Sequence, residues 1–340
     1  MITSEEIIAS LQIIMSTATK SRDDKKVNDN DYFKRRVLGF KAEIEFEKFI
    51  NQEFKNEIEF LEGGQFISKK ISGNKDDKNS FIYTTIDTLD PEKYLLVYEQ
   101  VAKWKEVSNL YYIKLEDSNW ISEDFLAKDE NKKDIKTSIL KPNFTFFTYS
   151  KDKFEKSKIQ CFDIILNHFD KPTKQPARSK LRGYDKFIYF KEYEEKILKK
   201  IYAGRYFLDN IMRQAKAKQI IDLDGFIIKN NKIIIAEIKE KTPNKNNRED
   251  LESDWEYGWD TRRLLWYYYL SNKINLPILY SVRQIKDRGE RKFLQWDSIL
   301  LEDFFLGLSW NFSRGGGGGE DTLSAPYSYF KNLKIILNEI

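Results

Sequence analysis

The run from Gln219 to Lys239, QIIDLDGFIIKNNKIIIAEIK, constrains this chain more than any other stretch. Two apolar, β-branched segments meet at Asn230-Asn231, residue types that tolerate the positive φ of a two-residue hairpin turn. A turn there sets Asp224 opposite Glu237 and Asp222 opposite Lys239. Opposed side chains on one face have Cβ atoms about 4.5–5.5 Å apart. Side chains alternate faces along a strand, so Asp222, Asp224, Glu237 and Lys239 share one face at the open end of the hairpin. The other face, Leu223, Gly225, Ile227, Ile234, Ala236 and Ile238, is apolar and suited to packing on a helix. A one-residue slip, or a bulge at Gly225, would destroy this arrangement.

Charges at the end of an otherwise apolar sheet call for a chemical reason. Two carboxylates this close repel, and one takes a proton unless a cation holds both ionised. Oxygen donors favour a hard ion such as Mg²⁺, which uses one or two carboxylates and keeps several waters. Lys239 can orient or deprotonate an attacking water, or stabilise developing negative charge. Asp222 can salt-bridge Lys239 and is expected to support the site.

Asp224, twelve intervening residues and then Glu237-Ile238-Lys239, with Gly225 after the first acid and an apolar run before the second, resembles the signature of the PD-(D/E)XK nuclease superfamily. Leu223 stands where many members have proline. The resemblance covers about residues 185–300. It implies Asp224, Glu237 and the Ile238 carbonyl as metal ligands and Lys239 as the catalytic lysine. It also implies Mg²⁺ as cofactor, with Mn²⁺ able to substitute. A further Glu on the helix before the first acid is common in such enzymes. Tyr193-Glu194-x-x-Ile197-Leu198 has the right pattern and makes Glu194 the leading candidate for a further catalytic residue. Glu43 and Glu47, on an earlier helix separated from the hairpin by a long insertion, are the competitors.

Composition narrows the chemistry. The one cysteine, Cys161, forms no intrachain disulfide and no cysteine-rich zinc site, and the one histidine, His168, leaves no two-histidine metal centre. Carboxylate–metal hydrolysis remains as the leading hydrolytic option. A net charge of +4 gives no large general field for nucleic acid, but residues 171–200 hold ten Lys/Arg against four Asp/Glu. Lys171–Gly183 reads as a linker or a phosphate-contacting loop. Arg283, Lys286, Arg288, Arg291 and Lys292 read as a turn able to contact a nucleic-acid backbone. Trp255 and Trp259 lie in a polar stretch and are candidates for a nucleic-acid or subunit contact, whereas Trp266 and Trp296 read as core. Gly315–Gly319 reads as a linker.

Periodicity predicts helices over 4–16, 32–54, 185–217, 260–271 and 327–340, with strands near 81–85, 94–97, 110–115, 144–149, 276–282 and 293–296. The expected fold is α/β (α+β): a mixed central sheet flanked by helices, restriction-endonuclease-like in the C-terminal half, with an additional α/β N-terminal region. Residues 1–180 are expected to serve recognition or dimerisation, and 181–340 catalysis. No apolar run spans a membrane and the start lacks a basic leader, so a cytoplasmic protein is expected. The resemblance implies an endonuclease on double-stranded DNA, similar to a homodimeric type II restriction endonuclease. The alternatives are a repair, phage-defence or RNA nuclease, or a non-catalytic nucleic-acid-binding protein.

Overall fold

The fold is described from a computed structural model. The described residues are 2–18, 29–55, 57–69, 81–129, 133–157, 162, 165, 193–212, 217–242, 244–245, 255–286, 291–314 and 321–340. Cys161, His168, the basic loop 171–183, Arg288 and Gly315–Gly319 lie outside them.

In chain order the elements begin with α1 (Ser4–Ala18), α2 (Asp29–Glu53), β1 (Ile58–Glu62), β2 (Gly64–Lys69), β3 (Phe81–Asp87) and α3 (Leu95–Ala102). Next come β4 (Val107–Lys128), β5 (Asp134–Ser150), β6 (Lys153–Lys156), α4 (Glu195–Arg205), a π-turn (Tyr206–Ile211), β7 (Ala217–Asp222), β8 (Gly225–Lys229) and β9 (Lys232–Lys241). The last are β10 (Asn244–Lys245), β11 (Trp255–Asp260), α5 (Thr261–Ile274), β12 (Ile278–Ile285), β13 (Phe293–Leu300), α6 (Leu301–Leu306), β14 (Ser309–Arg314), β15 (Asp321–Pro326), β16 (Lys331–Asn332) and α7 (Leu333–Glu339). The protein is a mixed α+β fold of sheets flanked by helices.

The chain forms two compact units, each discontinuous in sequence. The first comprises Met1–Val37 and Gly64–Asp222, and the second Leu38–Gly63 and Leu223–Ile340. The division therefore falls at 222/223 rather than near 180, and residues 38–63 belong with the C-terminal elements. The reason is pairing: β1 bonds to β8, bringing Glu62 opposite Gly225 across 162 intervening residues (225 − 62 − 1). Among the described residues no helix is long and apolar enough to cross a membrane.

In the first unit, a six-stranded sheet has the order β6-β5-β4-β3-β2-β7, with β3 and β4 parallel. Its core is aromatic, with Tyr83, Tyr98 and Tyr112 fully buried. The hydroxyls of the last two donate to backbone carbonyls, as buried phenols must to offset desolvation. Expected strand 94–97 is instead the junction of a 3₁₀ turn and α3. The expected helix 185–217 is described from residue 193 and is helical from Glu195. It widens into the π-turn after Arg205 and gives way to strand β7 by Ala217.

In the second unit the main sheet has the order β1-β8-β9-β12-β13-β16. Strands β8 and β9 form the expected hairpin: Asn230 and Asn231 have φ of 51° and 62°, and Gly225 pairs with Ala236. Strand β12 runs parallel to β9, which requires a crossover, and α5 lies within it. One face of this sheet is the apolar one anticipated. Ile227, Ile234, Ala236 and Ile238 pack with Leu279 and Trp296 beneath Ala42, Phe46, Ile50 and Phe54, all from α2 or just after it, and Leu333, Ile336 and Leu337 of α7. The spacing 42, 46, 50 is one stripe of a helix, which is why α2 covers this face. Phe46 meets Trp296 edge to face at 5.1 Å. The opposite face, carrying Glu237 and Tyr280, is the one α5 approaches through Tyr267. Strands β10, β11, β15 and β14 form a second, four-stranded sheet.

Candidate active site

Three elements of the second unit converge on Glu237. Strand β9 carries Glu237 and Lys239 on one face, two residues apart. Asp224 immediately precedes β8, and the hairpin register sets it against Glu237. The third element is α5, whose first turn presents Arg263 and whose second presents Tyr267. Helix α5 starts where the sequence predicts, because the Asp260 carboxylate caps it by accepting from Arg263 N at 3.0 Å.

Glu237 is fully buried and Asp224 is 9% exposed. Asp224 Oδ2 accepts from Ile238 N at 2.7 Å and from Lys239 Nζ at 3.1 Å. Its Oδ1 accepts from Arg263 Nη2 at 3.0 Å. The same Nη2 donates to Glu237 Oε2 at 2.7 Å, and the Tyr267 hydroxyl donates to that oxygen at 2.5 Å. Lys239 Nζ and Arg263 Nε each lie 2.7 Å from Glu237 Oε1, within ion-pairing distance. Neither is aligned to hydrogen-bond it, so this buried oxygen lacks a well-directed donor. Lys239 Nζ also donates to the Ile238 carbonyl at 3.1 Å.

The two acids differ electrostatically. Burial raises the Asp224 carboxyl, but Lys239, Arg263 and the Ile238 N–H outweigh it and hold the group below the usual carboxylate range. Burial also raises Glu237, and there it prevails: with Asp224 beside it, and in spite of Arg263 and Lys239, this carboxyl stays above its ordinary value. Burial and Arg263 depress the Lys239 ammonium, yet the two acids leave it above its free value. Lys241 lies on the same face of β9. Burial first, and then the charge of Lys239, bring its amine down to about 8. It donates to the Gly258 carbonyl and lies 5.9 Å from the centre of the Tyr280 ring.

The sheet unites three of the residues named from the sequence: Asp224, Glu237 and Lys239, with the Ile238 carbonyl beside them. Asp222 is a correction. The strand expected to run unbroken to Lys229 divides at Leu223-Asp224, and Asp222 ends β7 in the first unit. There it accepts from Gln65 Nε2 at 2.8 Å and lies 3.5 Å from Arg205. Glu194 also belongs to the first unit, as the N-cap residue of α4. The helix that leads into the hairpin's sheet is α2, followed by β1, and α2 carries Glu43 and Glu47, both half-buried. Trp259 is corrected too: it is buried and stacks on Tyr280 at 4.3 Å, while Trp255 is half-buried against Tyr327. Trp296 is core as expected, but Trp266 is only half-buried. Arg283 is buried and donates to Glu240 at 2.6 Å, and Arg291 pairs with the same carboxylate.

Arg263 and Tyr267 went unnoticed in the sequence. Their spacing of four on a capped helix places them on one face, but nothing in the sequence brings that face to Glu237. No family model matches the chain, and no curated protein or solved structure matches it either.

Two carboxylates and a main-chain carbonyl are hard oxygen donors, and Glu237 Oε1 lacks an aligned donor. That set fits a divalent cation of the Mg²⁺ type, with waters completing its shell. Among the described residues no third His, Cys, Asp or Glu joins the cluster.

Proposed function

We propose that the chain is a Mg²⁺-dependent endonuclease that hydrolyses phosphodiester bonds of double-stranded DNA. The observation that carries this reading is the buried Asp224–Glu237 pair with Lys239 on the same strand. A sheet ordinarily excludes two acids at such a position, since each loses hydration on burial. The order of the second unit supports the PD-(D/E)XK resemblance: helix α2 and β1, hairpin β8–β9, helix α5, strand β12. In that reading Asp224, Glu237 and the Ile238 carbonyl would hold Mg²⁺, with Mn²⁺ able to replace it. When bound, the ion supplies a Lewis acid for the phosphodiester. Lys239 Nζ holds the attacking water and meets negative charge that develops on the phosphoryl oxygens. Asp224, the more readily ionised acid, accepts from Ile238 N and so stays fixed relative to the Lys239 backbone. Tyr267 orients Glu237 through its hydroxyl. Glu43 or Glu47 of α2 is the better candidate for the further Glu, since both residues lie in the same unit as the hairpin and Glu194 does not. The first unit is assigned recognition or dimerisation, as in a sequence-specific, homodimeric enzyme of the cytoplasm similar to type II restriction endonucleases.

A second reading has an observation of its own. Arg263 and Lys239 balance the two acids charge for charge, as in a purely structural ion-pair cluster. Plasmid cleavage separates the two. The wild-type protein with Mg²⁺ is expected to cut plasmid DNA. Asp224→Asn, Glu237→Gln and Lys239→Ala are expected to lose about 10²–10⁴ of that rate while keeping the wild-type circular dichroism spectrum. Discrete bands would mark a sequence-specific enzyme, and a smear a non-specific one. Folded protein that cleaves neither DNA nor RNA and binds no Mg²⁺ or Mn²⁺ would leave the structural cluster as the answer.

A further inference from the structure

Arg263 Nη2 is shared by the two acids, 3.0 Å from Asp224 Oδ1 and 2.7 Å from Glu237 Oε2. One positive atom therefore lies where a single cation would contact both carboxylates. A divalent ion held by the same two carboxylates would need the space this nitrogen fills. Two cations that close repel strongly, and here the medium between them is largely protein. The arginine is also the most exposed member of the cluster apart from Lys239. Its side chain is 32% accessible, against 7% for Asp224 and 0% for Glu237. It stems from the first turn of α5, where its backbone N–H is tied to Asp260, so the side chain can move while the helix stays capped. Its guanidinium lies 5.8 Å from the centre of the Tyr267 ring.

We infer that Arg263 is a displaceable internal counter-cation: it neutralises the Asp224–Glu237 pair in the metal-free protein, and a divalent ion enters by driving the guanidinium out towards solvent. This rests on the metal reading proposed above. Its consequence is a weakened apparent metal affinity in the wild-type chain, because each binding event must break the guanidinium contacts. In exchange, the metal-free fold does not bury a carboxylate that Lys239 alone leaves without a counter-charge.

The probe is Mn²⁺ alone, titrated into the full-length protein by calorimetry at fixed pH and ionic strength. Arg263→Gln is expected to bind Mn²⁺ more tightly than wild type, within the range of about 5–150-fold typical of such coupling. Asp224→Asn is expected to abolish the binding heat, which locates the ion. A second measurement uses wild-type protein and so survives any failure of the variant to fold. Phenylglyoxal modification of Arg263, read by peptide mass mapping, is expected to accelerate with Mn²⁺ and to half-saturate at the calorimetric Kd. If wild type binds Mn²⁺ through Asp224 but Arg263→Gln binds it no more tightly, or Mn²⁺ leaves Arg263 labelling unchanged or slower, displacement is wrong and the metal reading stands. If neither wild type nor Arg263→Gln binds Mn²⁺, both ideas fall together.

Discussion

At the scale of single residues, the site is a contest between desolvation and charge pairing. Glu237 and Asp224 lie within reach of the same two cations, yet one carboxyl is shifted up and the other down. At Asp224, Lys239, Arg263 and the Ile238 N–H together outweigh burial, whereas at Glu237 burial, reinforced by the charge of Asp224, outweighs the two cations. Lys241 shows the opposite balance, since burial and the charge of Lys239 outweigh the pull of Glu237 and Asp260. Its amine loses the proton near pH 8 in the folded chain and near 10.4 in the unfolded one. Between those values the unfolded state holds more protons, so this residue's contribution to stability rises with pH. Replacing it as Lys241→Met is expected to raise the urea midpoint at pH 7 and to flatten its rise between pH 8 and 10, relative to wild type. An equal midpoint shift at both ends of that range would contradict the assignment. Asp224 against Glu237 was legible in the sequence because the Asn-Asn turn leaves one register. Arg263 was not, because its distance to Glu237 depends on how a crossover helix lands.

At the scale of elements, the hairpin β8–β9 sets the geometry of the acids. Its turn has two consecutive residues in the left-handed region, at φ of 51° and 62°. Asn tolerates this region; a β-branched residue pays for it with a Cβ clash. Asn231→Val is therefore expected to cost about 1–2 kcal/mol in urea unfolding, while Asn231→Gly should hold or raise stability. Should Asn231→Val prove as stable as wild type, the turn is not what fixes the pairing of Asp224 with Glu237. Alternation along 219–229 reads as one strand, but the chain changes sheets at Leu223-Asp224. Side-chain periodicity carries no information about which neighbour a strand will bond to, and here β7 takes β2 while β8 takes β1 and β9. Trp259 misled for a similar reason. Its sequence neighbours are polar, but the stacking surface that buries it comes from β12.

At the scale of the whole molecule, residues 64–222 interrupt the second unit between β1 and β8. The insertion leaves and returns at adjacent points: Glu62 pairs with Gly225, and a Cβ on Gly63 would lie 1.8 Å from the Leu223 carbonyl oxygen. Only glycine permits that approach. Close ends make such a segment exchangeable for a short connection. A chain that begins at Leu38, with a short Gly-Ser turn in place of residues 64–222, is expected to unfold cooperatively and to retain Asp224-dependent Mn²⁺ binding. Sequence-specific cleavage should be lost if the first unit performs recognition. Failure of this shortened chain to unfold cooperatively would mean that the second unit is not self-sufficient.

What the sequence by itself determined is local. Period-two alternation, the Asn-Asn turn, the Asp260 cap and the apolar stripe of α2 follow from residues close together in the chain, where backbone sterics and one buried face leave few choices. It sufficed to bring Asp224, Glu237 and Lys239 to one face and to assign the opposite face to a helix. Only the tertiary structure decided which helix that is, that Asp222 and Glu194 belong to another unit, and that Arg263 and Tyr267 complete the cluster. Those outcomes depend on strand pairing and packing between segments tens to hundreds of residues apart. Hydrophobic burial drives such contacts without direction, and the sequence pattern does not specify them.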